Sequence, residues 1–225
     1  MSPNFGQRRE CHSPKLIVIH YTAMDSDESA LYRLSMPEYE VSCHYLIGGN
    51  GRVYRMVDEK MRAWHAGLGS WGGRGDVNSR SIGIEVSNSG TEPYAAVQME
   101  ALEELLKDIM SRWSIPPEGV IGHSDLAVGR KADPGPKFDW RRLALSGLSV
   151  WPDTRHRRTA CAIGFVESAQ RFGYELPEGP GDRALSNLLD AFRLRFRPWA
   201  RGPLGDQDVG AIENLAARWP CRQQK

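Results

Sequence analysis

Leu16-Ile17-Val18-Ile19 is an unbroken aliphatic run following Ser13-Pro14, the pattern of a strand buried on both faces in a mainly α/β domain, and it ends at His20. Ala30, Leu31 and Leu34 then fall at helical spacing; Asp25 with Glu28 resembles a capping box ahead of them, and Pro37 closes a short helix. Tyr45-Leu46-Ile47 and Val53-Tyr54-Arg55-Met56-Val57 flank Gly48-Gly49-Asn50-Gly51, where Asn-Gly supplies the positive φ of a tight turn, so a β-hairpin is expected. Residues 67–78 carry five glycines and read as an exposed loop before the strand Ser81–Ser87. Alternation in that strand sets Ile82, Ile84 and Val86 against Ser81, Gly83, Glu85 and Ser87 on the other face. Leu102, Leu105, Leu106, Ile109 and Trp113 form a helical stripe that Pro116-Pro117 stops.

Beyond Trp151-Pro152 the pattern changes. Asp153-Thr154-Arg155-His156-Arg157-Arg158 is polar and basic, as in a linker, and three helical stripes follow: Ile163, Val166, Phe172; Leu185, Leu188, Leu189, Phe192, Phe196; Val209, Ile212, Leu215, Trp219. The chain therefore divides into a main domain over 1–152, a linker over 153–159 and a small three-helix unit over 160–225. A unit of that size is near the lower limit for independent folding, so it is expected to pack on the main domain as well.

Charge adds little: 29 basic and 28 acidic side chains among 225 residues leave no dominant field, and no nucleic-acid or membrane-surface partner is expected. No stretch approaches the roughly 20 apolar residues of a membrane span, and no signal-peptide core precedes Lys15. The cytoplasm is the expected compartment, or the periplasm if an N-terminal signal has been removed. Cys11, Cys43, Cys161 and Cys221 form no C-x-x-C pattern, which points to reduced, unligated thiols.

A catalytic zinc site needs about three protein ligands and one open position. His20, His123 and Asp133 offer such a set, each at the end of an apolar strand or in the Gly/Pro-punctuated loop after one. Glu85 points away from the greasy side of its strand, and small Gly83 and Ser87 leave space beside it for substrate or water. That suits a general base, and equally a solvent-facing glutamate. Lys131, two residues before Asp133, stands where it would stabilise an oxyanion, or is a surface lysine.

Six strings read together are specific: Ile17-Val18-Ile19-His20-Tyr21-Thr22, Val41-Ser42-Cys43-His44-Tyr45-Leu46-Ile47, Ala63-Trp64-His65-Ala66-Gly67, Ser81-Ile82-Gly83-Ile84-Glu85, Gly122-His123-Ser124-Asp125 and Arg130-Lys131-Ala132-Asp133-Pro134-Gly135. In this order they closely resemble the AmpD/AmiD-type N-acetylmuramoyl-L-alanine amidases, over approximately residues 13–152. The resemblance implies a central mixed β-sheet flanked by helices, the fold shared with peptidoglycan recognition proteins. It implies Zn2+ on His20, His123 and Asp133, with Glu85 activating water and Lys131 stabilising the tetrahedral intermediate. It further implies Tyr45, Trp64, His65 and Arg80 around the sugar and peptide, and His44 as a pocket or packing residue.

Phe172-Gly173-Tyr174 and the run Ala191 to Pro198 resemble the three-helix peptidoglycan-binding domain that follows AmiD-type catalytic domains, the alternative being a helical cap that only stabilises. The expected protein is a monomeric zinc amidase acting on muropeptide or peptidoglycan, with recycling of 1,6-anhydro-muropeptides as its role. A non-catalytic recognition module and a zinc peptidase of the stem peptide are the alternatives.

Overall fold

The computed structural model describes residues 1–10, 13–153, 155 and 157–221. Cys11, His12, Thr154, His156 and the tail 222–225 lie outside the described residues. In chain order the elements begin β1 (Phe5–Gln7), β2 (Leu16–Tyr21), α1 (Asp27–Ser35), β3 (Tyr45–Ile47), β4 (Val53–Arg55) and β5 (Met61–Ala63). They continue α2 (Val77–Arg80), β6 (Ser81–Val86), α3 (Ala96–Trp113), β7 (Val120–Gly122), α4 (His123–Leu126) and α5 (Trp140–Leu145). The chain closes with α6 (Ala162–Phe172), α7 (Gly181–Phe196) and α8 (Asp206–Arg218).

Five strands form one mixed sheet in the order β4-β3-β6-β2-β7, parallel except for the hairpin partner β4, and β1 pairs with β5 in a separate antiparallel ribbon. The aliphatic run Leu16–Ile19 takes the inner strand β2, where both faces are covered. On one face Ile17, Ile19, Ile82, Ile84 and Val86 pack with Leu102, Leu106 and Ile109 of α3 and with Leu143 of α5. On the other, Leu16, Val18 and Ile121 share a single cluster with Phe165, Leu188, Phe192, Phe196, Ile212 and Leu215 of the last three helices. Each fully buried side chain of this size contributes about 1.5–3 kcal/mol, so the C-terminal helices and the sheet stabilise one another.

Several local details differ from the sequence expectation. The cap of α1 is Ser26, whose hydroxyl accepts from the amide of Ser29 at 3.1 Å, rather than Asp25. Strand β4 stops at Arg55, and Met56 and Val57 are buried in the turn that follows. The glycine-rich segment 67–78 is not wholly exposed: Trp71 is 4% exposed, because its indole is held edge-on between Phe172 and Tyr174. Ile163 is exposed instead of buried, since α6 turns Phe165, Ala169 and Phe172 inward.

The described residues of 153–159 form no helix or strand, but they are tied to α8. The amide of Asp153 donates to Asn214 Oδ1 at 2.9 Å, and Arg158 pairs with Glu213 at 3.1 Å. Cys43, Cys161 and Cys221 are free thiols, and among the described residues no helix is long and apolar enough to cross a membrane.

Candidate active site

Strands β2, β6 and β7 are parallel, so their C-terminal ends open on one edge of the sheet, where α/β proteins place their sites. His20 closes β2 on the same face as Leu16 and Val18, and in register beside it stands Glu85 of β6. His123 begins α4 directly after β7, and Asp133 sits in the following loop, which is clamped to α4 by the Ser124 amide donating to the Asp133 carbonyl at 2.9 Å. Sequence positions more than 100 residues apart thereby meet through strand order alone.

His20 Nδ1, His123 Nδ1 and Asp133 Oδ2 lie 2.9–3.0 Å from one another, and all three residues are buried. Their outward nitrogens define the tautomers. His123 Nε2 lies 3.0 Å from the carbonyl of Ala66, an acceptor only, so in the neutral ring it carries the proton and the lone pair is on Nδ1. For His20 the reasoning runs through a second histidine. The Ser81 hydroxyl donates to the Val77 carbonyl at 2.6 Å and accepts from His65 Nε2 at 3.2 Å, so His65 Nδ1 accepts from His20 Nε2 at 3.0 Å. Burial lowers the His20 pKa to about 4 against the pull of Asp133, so this imidazole is neutral at pH 7.

Three lone pairs thus converge without a shared proton, an arrangement that repels itself unless a cation sits among them. Two imidazole nitrogens and a carboxylate oxygen are the donor set of a hydrolytic zinc centre. The residues present fit the metal.

Glu85 Oε2 is buried and has no hydrogen-bond partner among the described residues, a condition that in a groove suits a group that meets water or substrate. Burial, reinforced by the charge of Asp133, raises the Glu85 carboxyl well above its ordinary range, while Lys131 pulls the other way. Lys131 is exposed at the rim, close enough for its charge to act on both His20 and Glu85. Glu85, Lys131 and the three converging residues line one groove of about 530 Å³, together with Trp64, His65, Arg33 and Arg130.

Two residues expected in the groove are elsewhere. Tyr45 pairs in register with Ile84, which turns it to the face of the sheet opposite Glu85, and there its hydroxyl donates to Glu59 Oε1 at 2.6 Å. Arg80 donates to the Trp71 carbonyl at 3.1 Å and lines a crevice with Trp219 on another side of the molecule. Gly83 does not leave room for substrate: the His65 ring fills that space, and a methyl group there would lie 2.4 Å from its Cγ. His44 is a packing residue, its Nδ1 accepting from the Gly83 amide at 2.9 Å. The role of His65 behind His20, and the presence of Arg33 and Arg130 at the groove, have no signature in sequence spacing, because each depends on loops brought together from distant segments.

The profile of the N-acetylmuramoyl-L-alanine amidase family matches residues 10–136. The chain is similar to the N-acetylmuramoyl-L-alanine amidase AmiD of Escherichia coli, 35% identical with 88% of this chain and 80% of the relative covered. It is also similar to the 1,6-anhydro-N-acetylmuramyl-L-alanine amidase AmpD of Haemophilus influenzae, 33% identical over 64% of this chain and 89% of that one. Among solved structures, AmpDh3 of Pseudomonas aeruginosa in complex with an anhydromuramic pentapeptide superposes with a TM-score of 0.85 at 31% identity, covering 98% of this chain and 96% of that chain. The convergent His-His-Asp triad on an amidase scaffold and the match along nearly its whole length lead to one conclusion: the chain belongs to the N-acetylmuramoyl-L-alanine amidase family.

Proposed function

We propose that the groove is the active site of a zinc-dependent amidase that cleaves the bond between the lactyl carbonyl of N-acetylmuramic acid and the nitrogen of L-alanine in muropeptides. The observation that carries this reading is the unpartnered Glu85 oxygen in the same groove as three converging lone pairs. His20 Nδ1, His123 Nδ1 and Asp133 Oδ2 would hold the zinc, which when bound supplies Lewis-acid charge that brings the pKa of a water toward about 7 and polarises a carbonyl.

The residues of the chain do the rest. Glu85 takes the proton of the attacking water on Oε2 and delivers it to the alanine nitrogen as the C–N bond breaks. The Lys131 ammonium offsets negative charge on the carbonyl oxygen during attack. Trp64 offers an apolar face for the sugar, and Arg33 and Arg130 offer positive charge for stem-peptide carboxylates. All of these groups come from one chain, so a monomer suffices.

Two solved relatives, AmiD and AmpDh3, hold anhydromuramic peptides, which supports a role in recycling 1,6-anhydro-muropeptides. The reading assigns that role to the cytoplasm. Fractionation of cells carrying the native gene tests it, and recovery outside the inner membrane would assign the same chemistry to wall material.

The decisive experiment incubates the purified chain, with zinc and after chelation, with muropeptides carrying either 1,6-anhydro or reducing muramic acid, and weighs the products. Zinc-dependent release of a peptide beginning with L-alanine is expected. Alanine left on the sugar would indicate a peptidase, and zinc uptake without release from either substrate would indicate a recognition protein.

A further inference from the structure

A buried ion pair joins the last helices to the segment that carries His123. Arg195, near the end of α7, is 1% exposed, and Asp125, the third residue of α4, is fully buried. Arg195 Nη1 donates to Asp125 Oδ2 at 2.7 Å, and Nη2 donates to the Val120 carbonyl of β7 at 2.9 Å and to Ser149 Oγ at 3.2 Å. The rings of Trp140 and Phe196 lie 4.4 and 4.8 Å from the guanidinium carbon. Tyr174, just after α6, donates its hydroxyl to Asp125 Oδ1 at 2.6 Å. The remaining bond to this carboxylate comes from the backbone N–H of Gly122 at 2.8 Å, the residue immediately before His123.

We infer that Arg195 and Tyr174 are positioning residues for the metal site: through Asp125 they hold the Gly122–His123 backbone so that His123 Nδ1 meets His20 and Asp133. The inference rests on the reading of His123 as a zinc ligand. Helix α4 has only four residues and cannot be held in place by its own hydrogen bonds. Its placement is set by what Asp125 binds and by the Ser124–Asp133 clamp. Two of the three donors to Asp125, Arg195 in α7 and Tyr174 just after α6, belong to the C-terminal unit, which thus completes the site without lining its groove. Removing Arg195 leaves a buried carboxylate short of its counter-charge two residues from the ligand, and the cheapest relief is movement of α4.

The test measures zinc affinity by chelator competition on the full chain, and the visible spectrum of the cobalt-loaded protein, which reports coordination geometry. Arg195→Met keeps most of the volume between Trp140 and Phe196 while removing the charge; Tyr174→Phe removes one hydrogen bond and serves if the first variant fails to fold. Ile212→Ala, in the C-terminal core on α8, is the control for lost stability alone. Arg195→Met is expected to weaken zinc about 10–100-fold and to alter the cobalt spectrum, Tyr174→Phe to do so to a smaller degree, and Ile212→Ala to lower Tm with zinc affinity and spectrum unchanged.

Equal zinc affinity in the native chain and both site variants, or a loss no larger than that of Ile212→Ala at matched Tm, overturns the assignment. A native chain that takes up no zinc overturns the amidase reading instead, and this one with it.

Discussion

Glu85 and Gly83 stand two residues apart on one face of one strand, yet their side chains are constrained in opposite ways. The Glu85 carboxylate keeps an oxygen unpartnered at the groove, whereas the missing side chain of Gly83 is the seat of the His65 ring. Glu85→Ala is expected to lower kcat by about 10²–10⁴-fold while zinc content, measured by atomic emission, stays at the native level. Zinc loss in that variant would mean that the carboxylate holds metal rather than moves protons. Gly83→Ala pushes on His65, and through it on the tautomer and tilt of His20. It should therefore weaken zinc by about 10-fold in a chain that still folds, and native zinc affinity would show that the His65 relay does not matter.

At the scale of elements, α3 does more than cover the sheet. Arg112 and Trp113 at its end donate to Glu59 at 2.7 and 2.5 Å, and Tyr45 of β3 donates to the same carboxylate, so helix, strand and the loop after β4 meet at one buried charge. Burial works to raise the Glu59 pKa, but the bonds from Arg112, Tyr45 and Trp113 outweigh it and hold the group at about 2. A carboxylate whose pKa falls on folding stabilises the native state above its ordinary value of 4.5, and that contribution is lost as pH drops through 2. Tm should thus decline between those pH values, and Glu59→Gln should be less stable at neutral pH with a flatter acid limb; an unchanged acid profile in that variant would remove Glu59 from the account. In α1 the relevant detail is the cap, and Ser26→Ala should cost about 1 kcal/mol in a denaturant titration.

For the whole molecule, the continuous cluster between sheet and C-terminal helices predicts one cooperative unit. Calorimetry should show a single transition, and a chain ended after residue 152 should bind a hydrophobic dye and lose much of its Tm, because Val18, Trp71, Ile121 and Leu126 would face water. A truncated chain with the native Tm would instead support two independent domains. The same cluster explains why the C-terminal helices, and their packing on the main domain, were legible in the sequence while the residues they meet were not. Their stripes are local in sequence, but that Phe165 and Phe192 meet Val18 across the chain follows from topology.

By itself, the sequence determined whatever depends on near neighbours: the buried run of β2, the alternation of β6, the stripe of α3, and the strings around His20, Glu85, His123 and Asp133. Backbone period and strand ends place those side chains with little help from the rest of the fold. Only the tertiary structure decided which distant groups touch. It turned Tyr45 away from the groove through its register with Ile84, gave the space beside Gly83 to His65, and set Arg195 behind Asp125. These are choices of sheet order and packing between segments far apart in the chain, where local periodicity carries no information.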